Sequence, residues 1–173
     1  MSHVPAPVIE KLCAKESSVQ KYSFELFADY FQIYLMDIEA DDDTSDVWTD
    51  EALSLKLGLL SNTVAVGTFR NVDVKVELEV HEHEPDFALN EWDNISIGYF
   101  SVKSGCCAVL GCTDYLPDAA KVEIPLGHYS VLSLAKGLDS ITEEWEEADD
   151  LYKLILWPSA NREYRALKTY GGT

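Results

Sequence analysis

Between Val72 and His81 the chain alternates without a break: Val72, Val74, Val76, Leu78 and Val80 against Asp73, Lys75, Glu77, Glu79 and His81. Successive side chains of a strand point to opposite faces, so this period of two predicts a strand with one apolar and one polar face. The apolar face has to be covered by a second layer. The same period appears at Tyr22, Phe24 and Leu26 against Ser23 and Glu25. It returns after Asp29 at Phe31, Ile33 and Leu35 against Gln32, Tyr34 and Met36. These two runs predict a strand pair or one long bent strand.

Further β-branched or apolar runs lie at 63–69, 95–102, 106–111, 122–124, 129–134 and 151–157, the last stopped by Pro158. Lys103-Ser104-Gly105 and Pro125-Leu126-Gly127-His128 predict hairpin turns, and Arg70-Asn71 a bulge or tight turn. One helix is expected. Thr49 is a good N-cap, Asp50 and Glu51 suit the helix dipole, and Leu53, Leu57 and Leu60 would line one face as far as Gly58 or Ser61-Asn62. The fold class is therefore all-β: an antiparallel β-sandwich of about eight strands with one short helix. A jelly roll or barrel shares the same pattern. The expected organisation is an N-terminal arm over residues 1–20, a single β-sandwich domain over 21–158 and a polar C-terminal tail over 159–173.

Charge narrows the function. The 173 residues carry 31 Asp+Glu against 13 Lys+Arg, a net charge of -18. Nucleic-acid binders and proteins of anionic membranes present basic surface, so neither partner is expected. The acids are also local. Residues 37–51, 77–93 and 139–150 hold 22 of the 31 acids, and outside those windows the chain is slightly basic. Acidic loops keep a β-protein soluble. They also steer a basic protein, and an acidic face can fill a nuclease cleft built for phosphate.

The start, Met1-Ser2-His3-Val4-Pro5, lacks the basic and apolar regions of a signal peptide, and no run of 18 apolar residues is present. Cys13, Cys106, Cys107 and Cys112 form no C-x-x-C pair. They read as small buried hydrophobes of a reducing, cytoplasmic compartment. No phosphate-binding loop, dinucleotide fingerprint or nucleophile elbow occurs, and no cofactor is implied.

The residues expected to meet a basic partner, a nuclease or toxin, are Asp41, Asp42, Asp43 and Asp46 in the first acidic window and Glu143, Glu144, Glu146 and Glu147 in the third. Trp92 and Trp145 lie inside acidic loops, where each is a loop anchor or a binding knob. Tyr115, beside Asp114 and before Pro117, is a recognition residue or a packed turn residue. Two alternatives remain. The Asp-rich loops could hold Ca²⁺ in a binding module, although Asp37–Trp48 lacks the Gly and Glu of an EF-hand. His81 and His83, at i and i+2 on one strand face, could serve a small metal-dependent β-barrel enzyme.

Over residues 22–80, the aromatic strand Phe31-Gln32-Ile33-Tyr34, the acidic loop, Trp48-Thr49-Asp50-Glu51-Ala52 and Ser61-Asn62-Thr63-Val64-Ala65-Val66-Gly67-Thr68 follow in order. This order resembles the ComJ-type inhibitors of the bacterial competence nuclease. The resemblance implies an antiparallel β-sandwich that binds and silences a nuclease, and it assigns no contact residues. The 1–20 arm, the Cys106–Cys112 segment and the acidic 139–150 loop depart from the family pattern.

Overall fold

The computed structural model describes residues 19–171, so most of the expected N-terminal arm lies outside the described residues. Eleven strands and one helix follow in order: β1 (Gln20–Phe27), β2 (Gln32–Asp37), α1 (Asp50–Leu55), β3 (Leu57–Leu59), β4 (Thr63–Gly67), β5 (Asp73–Val80), β6 (Asn94–Val102), β7 (Cys106–Gly111), β8 (Ala120–Glu123), β9 (Gly127–Lys136), β10 (Leu151–Pro158) and β11 (Arg165–Lys168). They form two sheets, ordered β1-β5-β10-β9-β6-β11 and β3-β4-β2-β7-β8. The sheets stack as a sandwich. All pairings are antiparallel except β5 with β10, which run parallel.

The alternation decides what is buried. Val74, Val76, Leu78 and Val80 of β5 face the other sheet, with Tyr22, Phe24 and Leu26 of β1 packed beside them. Tyr152, Leu154 and Leu156 of β10, and Ile33 and Leu35 of β2, complete this central core. Each such side chain contributes about 1.5–3 kcal/mol when fully buried.

The outer faces are covered too, which is why β10 is apolar on both sides. Residues 81–93 leave β5 at one end and re-enter β6 at the other, crossing the outside of the six-stranded sheet. Trp92 closes a second apolar cluster there with Ile95, Ile97, Leu132, Leu134, Ile155 and Trp157. In the same way, residues 38–49 cross the outside of the five-stranded sheet, where Val47 packs on Tyr34, Ala65, Ala108 and Leu110.

Several local expectations are corrected. The two aromatic runs are β1 and β2, which do not pair with each other. The chain changes sheet at the corner Asp29–Phe31. The glycine-containing turns 103–105 and 125–128 are not hairpins, because β6–β7 and β8–β9 each pass from one sheet to the other. The helix stops at Leu55, because Lys56 adopts a left-handed conformation. Leu57 then begins β3, and Leu53 is left exposed. The polar stretch after Pro158 folds back, and β11 pairs with β6 as an edge strand. β5 ends at Val80, so His81 and His83 lie beyond the strand rather than on one of its faces. His81 Nε2 lies 2.8 Å from Glu79 Oε1, while His83 is exposed.

Candidate protein-interaction surface

The strand registers define two poles. At the Gly127 pole β5 and β10 end, β9 begins, and residues 37–43 leave β2. At the Gly137 pole β5 and β10 begin, β9 ends, and the loop 139–150 projects. The six-residue register of Leu151–Leu156 on Lys75–Val80 separates the poles by roughly 17 Å. The three acidic windows therefore do not meet on one face. The first begins at one pole, the third caps the other, and most of the second lies across the outer face of the six-stranded sheet.

At the Gly127 pole the acids mostly hold the loop together. Asp37 is buried. Its Oδ1 accepts from the Glu39 amide at 2.9 Å, and its Oδ2 accepts from the Lys103 and Ser104 amides at 2.6 and 2.9 Å. Asp42 accepts from the Asn62 amide and the Thr63 hydroxyl. Asp43 caps the following turn through Ser45. Asp41 is exposed, 3.5 Å from Lys103 Nζ, and Asp46 is exposed further along the crossing, beside Val47.

Burial pushes the Asp37 carboxyl up, but hydrogen bonding from Ser104, Glu39 and Lys103 outweighs it and sets the group below the ordinary value of 3.8. A depressed carboxyl contributes stability that is present above its unfolded value and lost as pH falls through the folded one. Asp37→Asn should therefore flatten the loss of stability below about pH 4, as measured by urea unfolding across an acid pH series.

At the Gly137 pole the loop is held from beneath by a buried ion pair. Arg70 Nη2 and Nε lie 2.7 and 2.8 Å from Asp150 Oδ1. Arg70 Nη1 donates to the Glu146 carbonyl at 2.7 Å. The Tyr152 hydroxyl donates to Asp150 Oδ2 at 2.7 Å and accepts from the Phe69 amide at 2.9 Å. Burial pushes that hydroxyl far above the ordinary tyrosine value, so it keeps its proton and remains a donor. Outside this network Glu143, Glu144, Glu146 and Glu147 are exposed, and Trp145 is 65% exposed.

Gly137 closes the base of the loop. It has φ +74°, and a Cβ there would stand 2.3 Å from the Asp149 carbonyl oxygen. Gly137→Ala should cost at least about 1–2 kcal/mol for the left-handed conformation alone, with more for the displaced backbone, as read by denaturant unfolding.

The other residues singled out in the sequence divide between core and surface. Trp92 is 7% exposed. Its ring is covered by Lys136 Nζ at 4.9 Å and Lys153 Nζ at 5.9 Å. It anchors the 81–93 crossing and offers a partner little surface. Tyr115 is 69% exposed, on the loop that follows β7 at the Gly137 pole.

Two more exposed apolar residues lie at that same pole: Tyr30, 70% exposed, which the sequence does not single out, and Leu53, 54% exposed, which the helical spacing assigns to a covered face. Their exposure follows from the corner at 29–31 and the early helix stop, which no spacing in the sequence reveals. Among the described residues, no group of three His, Cys, Asp or Glu side chains is placed to hold a metal ion, and no helix is long and apolar enough to cross a membrane.

No family model matches the sequence, and no curated protein matches it significantly. Among solved structures, the fold is similar to that of ComJ, an inhibitor of the DNA degrading activity of NucA, from Bacillus subtilis. The TM-score is 0.64 at 14% identity, over 82% of this chain and 98% of ComJ. It is also similar to the product of crocagin biosynthetic gene J, with a TM-score of 0.52 at 16% identity, over 81% of this chain and 96% of that one. At these identities the likeness is one of fold, and the resemblance read from residues 22–80 is met at that level.

Proposed function

We propose that this protein is a non-enzymatic, cytoplasmic inhibitor or immunity-type protein that binds a basic nuclease or toxin through the Gly137 pole. The observation that carries the reading is the fold shared with ComJ across almost the whole of that inhibitor. Charge supports it. A nuclease cleft is basic because it holds phosphate, and Glu143, Glu144, Glu146 and Glu147 form an exposed anionic loop free of Lys and Arg.

The loop also has the form of a binding site. Interfaces depend on a few aromatic anchors, and an anchor held in place before binding loses less entropy on association. Trp145 stands out from a loop whose backbone is fixed by Arg70 at the next residue. Asp41 and Asp43 lie away from this pole and act here only through long-range charge, Asp46 sits part-way along the crossing beside Val47, and Asp42 is engaged in its own loop.

The test is a DNA-degradation assay. NucA, and each basic protein that co-purifies with the tagged chain from its native host, is titrated with the purified protein. Loss of nuclease activity near one equivalent supports the reading. Full activity of every candidate at a large excess of inhibitor rejects it.

A further inference from the structure

The corner between β1 and β2 carries two consecutive residues in the left-handed region, Tyr30 at φ 58° and Phe31 at φ 61°. Aromatic residues occupy that region at a cost, and such outliers persist where the surrounding structure imposes them. Here the imposed conformation turns Tyr30 outward. Its amide donates to Asn71 Oδ1 at 2.8 Å, and the Asn71 amide donates to the Glu144 carbonyl at 3.1 Å. Two hydrogen bonds thus connect the corner to the loop that carries Trp145.

Tyr30 is also one wall of a groove of about 380 Å³, lined by Tyr30, Phe31, Trp48, Leu53, Lys56 and Gly67. The floor is fixed: Trp48 Nε1 donates to Gln32 Oε1 at 2.8 Å. The single cation in the lining, Lys56, is drawn 4.6 Å over the Phe69 ring, and burial lowers its pKa. No carboxylate lines the groove, but its neighbourhood is acidic: Asp50 is exposed one turn before Leu53 on α1, Asp29 precedes Tyr30, and the exposed Glu144 lies beyond Asn71. A largely apolar slot in an acidic neighbourhood complements an apolar side chain flanked by Lys or Arg.

We infer that this groove is the second half of the contact surface, and that it receives an aromatic or aliphatic side chain from a Lys/Arg-rich segment of the same basic protein that meets Trp145. The inference rests on the inhibitor reading of the Gly137 pole. It adds Tyr30 and Leu53 as anchors and makes the contact bipartite. Because Tyr30 is exposed in a left-handed conformation, Tyr30→Gly should relieve the backbone while removing the anchor.

The test places a benzophenone-bearing photo-crosslinking residue at position 30, at position 145 or, on the opposite pole, at position 126, in the full chain expressed in its native host. Positions 30 and 145 are expected to capture the same basic protein, and position 126 none of it. With that protein purified, Tyr30→Gly and Leu53→Ala are each expected to weaken binding at least tenfold, Tyr30→Gly without lowering the melting temperature.

Capture at 145 without capture at 30, or unchanged affinity of both variants, overturns the groove and leaves the loop reading standing. Capture of a basic protein at 30 alone overturns the bipartite contact. Capture of an acidic protein or a nucleic acid at 30 overturns the charge argument. Equal capture of the same protein at 126 overturns the placement at this pole, and capture at no position overturns both readings.

Discussion

Asp150→Ala should cost the fold about 3–5 kcal/mol, because it leaves Arg70 buried without its counter-charge. Arg70 is almost wholly enclosed, and Asp150 is completely so. Removing the carboxylate deprives two guanidinium nitrogens and the Tyr152 hydroxyl of their acceptor at once. In a domain of this size such a loss corresponds to roughly 6–20 °C in melting temperature.

The controls separate the causes. Asp150→Asn keeps the shape and an acceptor but not the charge, so its loss should be intermediate. The double change Arg70→Met with Asp150→Leu should recover much of the stability, since apolar replacements of a buried ion pair are often neutral or better. It should not recover the position of the loop, because the Glu146 carbonyl loses its donor in every variant that lacks Arg70. A nearly wild-type denaturation midpoint for Asp150→Ala would show that the pair adds nothing net.

The parts of the fold legible in the sequence are those set by local alternation. The period of two at Val72–Val80 placed β5 and its inward face. The parts set by pairing between distant residues were not legible. A short turn with Gly reads the same whether the chain returns to its own sheet or crosses to the other, so 103–105 and 125–128 looked like hairpins. Leu53, Leu57 and Leu60 have helical spacing, but Lys56 breaks the helix by conformation, and nothing in its side chain announces that.

The candidate site divides the same way. The acidic windows are a property of the sequence. Their separation depends on β10 lying parallel to β5, a pairing of residues more than seventy positions apart. The Arg70–Asp150 pair spans 80 positions. Trp92 and Trp145 each sit among carboxylates, yet one covers an apolar sheet face and the other does not.

That separation sets up the kinetic prediction. Changing Glu143, Glu144, Glu146 and Glu147 together to Lys should lower the association rate with the basic partner by roughly 10- to 1000-fold at low salt. The rate of the variant should also lose, or reverse, its decline with added salt. The four side chains are exposed, and the Arg70 bond goes to the Glu146 backbone. Glu146 Oε2 also accepts from the Thr142 hydroxyl at 2.8 Å, so the triple change at Glu143, Glu144 and Glu147 is the control that keeps the loop's bonds.

The matched control is Asp41 and Asp43 changed to Lys, with Asp43→Ala alone reporting the loss of its cap on Ser45. Asp42 is spared, because it holds Asn62 and Thr63. Steering falls off over a Debye length of about 8–10 Å at physiological salt, which is shorter than the distance between the poles. The control should therefore slow association strongly only at low ionic strength and by little near 0.15 M, while the Gly137-pole variant remains slow at both. Stopped-flow association across a salt series reads the difference. Equal effects of the two variants at 0.15 M would move the contact away from the Trp145 pole, and an effect of the Asp variant alone would place it on the Asp41 side of the sandwich.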